Sequence, residues 1–194
     1  MIGIVPGRKL IGIVPGRKFR ALLFLCTLFS FYLLIPYPAP GEGVGEYEIK
    51  GAMIANFIRF TTWPSLDTEN PQTDFLVGIM GDKAPFKAFS PMQGLRIGNH
   101  RLSVRHIDNL YQIPDCRVLF VDRSQTYRIR EIIDTVDELP ILTIGESYDF
   151  IRAGGLISFY LEKGHVKFAI NGKTAAKSPV KISSKLMEIG KIIY

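Results

Sequence analysis

The sequence predicts an α/β fold, a mixed, mostly parallel sheet flanked by helices on both faces (an α/β/α sandwich). Three observations lead there. FLVGIMG (75–81), RVLFVD (117–122) and PILTIG (140–145) are continuous apolar runs of strand length, the pattern of strands buried on both faces. Segments with helical spacing separate strands from one another, as crossover connections require. The last third then alternates around Lys163-Gly164, which reads as an antiparallel hairpin.

Residues 46–60 come first. Ile49, Met53, Phe57 and Phe60 recur at helical steps, so a helix is expected with that stripe toward the core, ended by Trp63-Pro64. A polar loop, SLDTENPQTD, leads to the first buried strand. Asp82 is placed to cap a short helix running to about Ser90. Residues 101–107 read as a strand with Leu102, Val104 and His106 on one face. After the strand at 117–122, Ile129, Ile132, Ile133 and Val136 mark a helix over about 125–136. GLISFYLEKGHVKFAI (155–170) forms the hairpin, with Val166, Phe168 and Ile170 alternating. Asn171 is expected to cap a short helix through Lys177. Ser183 or Ser184 should cap a terminal helix carrying Leu186, Met187, Ile189 and Ile193.

Ahead of this domain lies a segment of different character. Residues 1–39 hold Arg8, Lys9, Arg17, Lys18 and Arg20 and no acid. The apolar run ALLFLCTLFSFYLLI (21–35) follows directly, and Pro36, Pro38 and Pro40 end it. A basic block before an apolar run too short for a comfortable membrane span is the pattern of a secretory signal. Residues 1–41 are therefore expected to be a signal peptide, cut between 39 and 45 after Gly41 or Gly43, and 46–194 the exported domain. An uncleaved N-terminal anchor is the alternative. IGIVPGRK occurs twice, at 2–9 and 11–18. It is too short to be a structural repeat and reads as a duplication within the leader.

Charge excludes one class of partner. The chain carries +6 in all, but outside the leader 19 basic residues face 18 acidic ones, a net of +1. A nearly neutral domain has no electrostatic footprint for phosphate backbones, so nucleic acid is not expected. Cys26 and Cys116 fall on opposite sides of the expected cut, and the exported domain keeps Cys116 alone.

The catalytic motifs fail at defined positions. Gly172-Lys173-Thr174 ends like a phosphate-binding loop, but Lys167 stands where its first glycine is needed. Gly145-Glu146-Ser147 opens like a nucleophile elbow, but Asp149 replaces its second glycine. His100, His106 and His165 have no metal-ligand spacing, and Cys116 precedes a buried strand where a packed thiol is usual. No enzyme, cofactor or metal is expected. Partner-binding candidates are Arg59 and Trp63, an arginine and the single tryptophan four residues apart at the end of the first helix. Such residues often dominate interfaces. Core packing is the competing reading for Trp63, and a solvated helix face for Arg59.

The assembled segments resemble the YfiR family of periplasmic proteins. KGAMIANFIRFTTWP (50–64), FLVGIMGDKAPF (75–86), CRVLFV (116–121), LPILTIGE (139–146), GGLISFYLEKGHVKFAIN (154–171) and KISSKLMEIGKII (181–193) follow in that family's order and spacing. The resemblance covers nearly all of 46–194. It implies an α/β sandwich and a non-enzymatic periplasmic regulator that inhibits a membrane-bound diguanylate cyclase through the cyclase's periplasmic part. An outer-membrane lipoprotein relieves that inhibition in characterised members, and homodimers are known among them. Cyclic di-GMP levels and biofilm formation are what such a protein controls. The resemblance also implies a difference. The family's studied member pairs the cysteine matching Cys116 with one in the first strand, where this chain has Gly78. A second family disulfide, in the region of Asp149 to Phe159, is absent as well, so redox tuning is not expected. The alternative function is a periplasmic small-ligand-binding protein serving a sensor kinase or a transporter.

Overall fold

The computed structural model describes residues 42–64 and 74–194. The expected leader and most of the polar loop at 65–74 lie outside them. Eight strands form one sheet, in the order β3 (Arg96–Ile97), β4 (His100–His106), β2 (Phe75–Met80), β5 (Val118–Val121), β6 (Leu142–Gly145), β7 (Ile157–Glu162), β8 (His165–Asn171) and β10 (Lys191–Ile193). β4, β2, β5, β6 and β7 are parallel; β3 and β8 are antiparallel to their inner neighbours, and β10 runs parallel to β8. A separate antiparallel pair joins β1 (Thr61–Thr62) to β9 (Lys181–Ile182). The mixed, mostly parallel sheet is thus the one the apolar runs predict.

Period-two alternation sorts the strand side chains onto two faces. Phe75, Val77 and Ile79 of β2, Val118 and Phe120 of β5, and Leu142 and Ile144 of β6 pack against α1 (Glu42–Arg59) and α2 (Lys83–Phe89). Leu76, Met80, Leu119 and Val121 pack on the other face with Ile129 and Ile132 of α3 (Ile129–Val136) and Phe150 of α4 (Tyr148–Ala153). Both faces are covered by helices, which is why these strands show no polar alternation.

Several local expectations hold in their chemistry. Lys163 and Gly164 both take positive φ, 50° and 77°, the mirror-image turn that a two-residue hairpin prefers. The Asn171 side chain accepts from the Thr174 amide at the start of α5 (Gly172–Lys177), and Ser183 accepts from Leu186 at the start of α6 (Ser184–Ile189). Others are corrected. Asp82 precedes α2 without a side-chain capping bond. The helix expected over 125–136 opens as a 3-10 turn, Arg123–Arg128. α6 stops at Gly190, and Lys191–Ile193 leave it to pair with Ala169–Asn171 of β8. Ile193 is a strand residue and not part of a helical stripe.

Gly78 faces Cys116 and Ile107. A Cβ there would lie 2.5 Å from the Cys116 sulfur and 2.7 Å from Ile107 Cγ1, so the close approach requires glycine. Cys116 is buried and free, and burial, then the charge of Asp115, push its thiol up to about 12. We expect the folded domain (residues 45–194) to resist maleimide at neutral pH and the denatured chain to take up one label. Rapid labelling of the native protein would show that the thiol is reachable.

Candidate functional site

The carboxyl ends of parallel strands are where an open α/β sheet places its ligands. Here Asp122 directly follows β5 and Glu146 directly follows β6. The amino-terminal half of α1 crosses above them and contributes Glu46, Tyr47 and Lys50. Lys50 is 2 % exposed, and its Nζ donates to Glu46 and to Glu146, whose side chain is 1 % exposed. The Tyr47 hydroxyl donates to Asp122 at 2.9 Å, and the Asp122 carboxylate also accepts from the Ser124 amide at 2.7 Å. Arg123 gives its amide to Glu146 at 3.1 Å and its guanidinium to Glu46 at 3.3 Å. The five charged groups carry a net of −1 when all are ionised.

These contacts set the titration of the cluster. Burial pushes Glu146 up, and the bond and charge of Lys50 pull it back only in part. Burial also acts to raise Asp122, but bonds from the Ser124 amide and hydroxyl and from Tyr47 outweigh it and hold the carboxyl below its usual value. Burial first, then the Glu146 charge and the Asp122 bond, raise the Tyr47 hydroxyl above its ordinary value. The cluster ties the first helix to two strand ends and brings opposite charges into a nearly dry place. An open cleft of about 300 Å³ lies beside it, lined by Glu46, Lys50, Arg123, Glu146, Tyr148, Phe159, Tyr160 and Leu161. Among the described residues no three His, Cys, Asp or Glu side chains converge on a metal position. No described helix is long and apolar enough to cross a membrane.

Sequence periodicity did not find this cluster, and it misplaced the buried face of α1. The inward side chains are Lys50, Ile54, Phe57 and Ile58, with Tyr47 half-buried beside them. Ile49 is 52 % exposed and Phe60 38 %, so of the expected core stripe only Phe57 is fully buried. The reason is Lys50. A charge reads as a solvent position, and its partner Glu146 lies 96 residues away. The visible signal was Tyr47, Lys50, Ile54 and Ile58 at steps of three and four.

The structure separates the two partner-binding candidates. Arg59 is exposed at the last turn of α1, on the same outward side as Ile49, Ala52, Asn56 and Phe60. Trp63 takes the core position of its two readings. It is 2 % exposed, its ring meets Phe75 edge-on at 4.9 Å, and its Nε1 donates to the Arg117 carbonyl at 3.3 Å. The pairing of β1 with β9 swings the chain inward just before it.

Comparison with known proteins bears on what this arrangement serves. The family model described as YfiR/HmsC-like matches residues 47–191. No curated protein matches the chain. Among solved structures, a conserved domain protein from Vibrio cholerae O1 biovar eltor superposes with a TM-score of 0.50 at 9 % identity, covering 75 % of this chain and 59 % of that one. The ABC domain in complex with L-Trp from Streptococcus pneumonia gives 0.44 at 11 % identity, covering 61 % of this chain and 55 % of that one. The chain thus spans less than two thirds of either solved chain. At these identities the first superposition speaks to the fold alone.

Proposed function

The chain belongs to the YfiR/HmsC-like family, and from that premise we propose that it is a non-enzymatic periplasmic regulator that binds and restrains a membrane-bound diguanylate cyclase. The family match over residues 47–191 carries the reading, since at family level these proteins are periplasmic regulators of diguanylate cyclases. Residues 1–41 serve as the export signal on this reading, and 46–194 work in the periplasm. An outer-membrane lipoprotein that relieves the inhibition, and a second copy of the chain, are further partners in the same scheme.

The outward side of α1 supports a mechanism by contact. Ile49 and Phe60 present apolar surface to solvent, with Ala52 small between them and Arg59 at the rim. Exposed apolar surface edged by an arginine has the composition of a partner site. Arg59→Glu should weaken binding to the periplasmic part of the native cyclase by about 1–3 kcal/mol, the scale of an interface hot spot. Its melting temperature should stay near that of the parent, because exposed helix positions tolerate substitution. Titration of purified domains, paired with melting curves, measures both. Unchanged affinity in a folded variant would move the interface off α1.

A further inference from the structure

The pairing of β6 with β7 stops at Gly145–Ser158, whereas β7 continues to Glu162. Beyond Gly145 the chain turns away at Ser147, whose side chain caps α4. Past Ser158, β7 therefore runs on with β8 on one side and no strand paired on the other. Their orientation follows from the hairpin register. Asn171 donates to the Leu156 carbonyl at 2.9 Å, which makes that pair a hydrogen-bonded one. Alternation along an antiparallel ladder makes 158–169, 160–167 and 162–165 the next hydrogen-bonded pairs. Phe159 and Leu161 consequently aim their backbone groups the other way; the Gly145–Ser158 register takes up the Phe159 N–H with the Gly145 carbonyl, and Leu161 is the first such residue past the end of β6. The outward N–H and C=O of Leu161 have no partner among the described residues.

Sheet edges in monomeric proteins are usually blunted by charge, proline or a bulge. This one carries Tyr160 and Leu161, and charge appears only at the tip, in Glu162 and Lys163. Leu161 is 54 % exposed and Tyr148, across the gap, 64 %. The 300 Å³ cleft is lined by residues of the same edge together with Arg123 and Glu46.

We propose that the free edge of β7 at Tyr160–Glu162 receives an extended segment of a partner protein, which adds a short strand where β6 would otherwise continue. Its backbone bonds to Leu161, one side chain enters the cleft against Tyr148 and Tyr160, and the next lies over Leu161. Main-chain bonds supply the affinity and the cleft the selectivity. The inference rests on the proposed function only in taking a protein as the partner.

Leu161→Pro is the test. The Leu161 N–H points outward, so proline there removes the docking donor and leaves the bonds of residues 160 and 162 to β8 in place. The probes are the intact periplasmic part of the diguanylate cyclase from the same genome and a set of overlapping synthetic peptides spanning it. The parent should bind the intact part and one peptide. Leu161→Ala should bind within about threefold of the parent and Leu161→Pro at least about tenfold more weakly, because only proline removes the backbone donor. Backbone hydrogen exchange in the unaltered protein covers the case in which the proline variant fails to fold: the Leu161 amide should exchange freely alone and become protected in the complex. Equal binding by the parent and a folded Leu161→Pro, or an unprotected Leu161 amide in the complex, would overturn the edge and leave the proposed function standing. Protection that rises with chain concentration alone would replace the partner segment with a second copy. Failure of the parent to bind the intact periplasmic part would overturn the proposed function, and this inference with it.

Discussion

Lys50→Met is expected to destabilise the domain by about 3–5 kcal/mol at neutral pH, the cost of leaving a buried charge without its partner. Methionine can fill the volume that the lysine stem occupies but cannot neutralise Glu146, whose side chain is 1 % exposed. Arg123 remains near, with its Nε 3.9 Å from that carboxylate, but it is largely in solvent and screens poorly. The effect should depend on pH, with a sign that burial sets. Burial already raises Glu146, and removing Lys50 raises it further. An acid with a raised folded pKa holds its proton more tightly in the native state. The penalty is therefore full above that pKa and vanishes below the unfolded value of about 4.3. Asp122, held low, contributes stability that falls as the solution is acidified, but the parent and the variant share that loss. The gap between the two should thus narrow toward low pH. Lys50→Met with Glu146→Gln should regain most of the loss, since neutralising both members of a buried pair costs far less than removing one. Urea unfolding of the three proteins at neutral and acid pH measures this. A gap that does not change with pH would mean that Glu146 is not the group left stranded.

Trp63→Ala should cost about 3–5 kcal/mol through the cavity that it leaves, a fall in melting temperature on the order of 10 °C for a domain of this size. The ring is 2 % exposed and packs edge-on against Phe75 of β2. Its indole nitrogen donates to the Arg117 carbonyl, just before β5, so the same side chain spans the end of α1 and two central strands. Truncation therefore leaves a void and strips a donor from a carbonyl beside it. Trp63→Phe should recover part of the packing and none of the hydrogen bond. A loss below about 1 kcal/mol would require that the surrounding side chains collapse into the space. Partner affinity per folded molecule should be unchanged in either variant, unlike in Arg59→Glu, because Trp63 offers almost no surface to a partner.

The central strands were readable because parallel strands covered on both faces become continuous apolar runs, and few other structures do. The hairpin was readable because its turn depends on two adjacent residues, Lys163 and Gly164. The caps at Asn171 and Ser183 depend equally on local chemistry. Reading failed where an element is short or where burial conflicts with residue type. α4 has six residues and too few apolar positions for a period to emerge. Lys191–Ile193 continue the apolar spacing of α6 until Gly190 turns them onto β8. Trp63 could be read two ways, because sequence shows that an aromatic ends a helix and not which way the chain then turns.

By itself the sequence determined the layered architecture, the order of its central strands and helices, the family, and the glycine at position 78 that leaves Cys116 unpaired. These follow from patterns a few residues long or from segments in a fixed order. Only the tertiary structure decided that Lys50 is a core residue, that Asp122 and Glu146 meet Tyr47 at one end of the sheet, and that β7 outruns β6. Each of those is a relation between strand ends or helix faces far apart in the chain. A buried charge is tolerable only when its partner arrives with the fold, so in the sequence it stays indistinguishable from a surface charge.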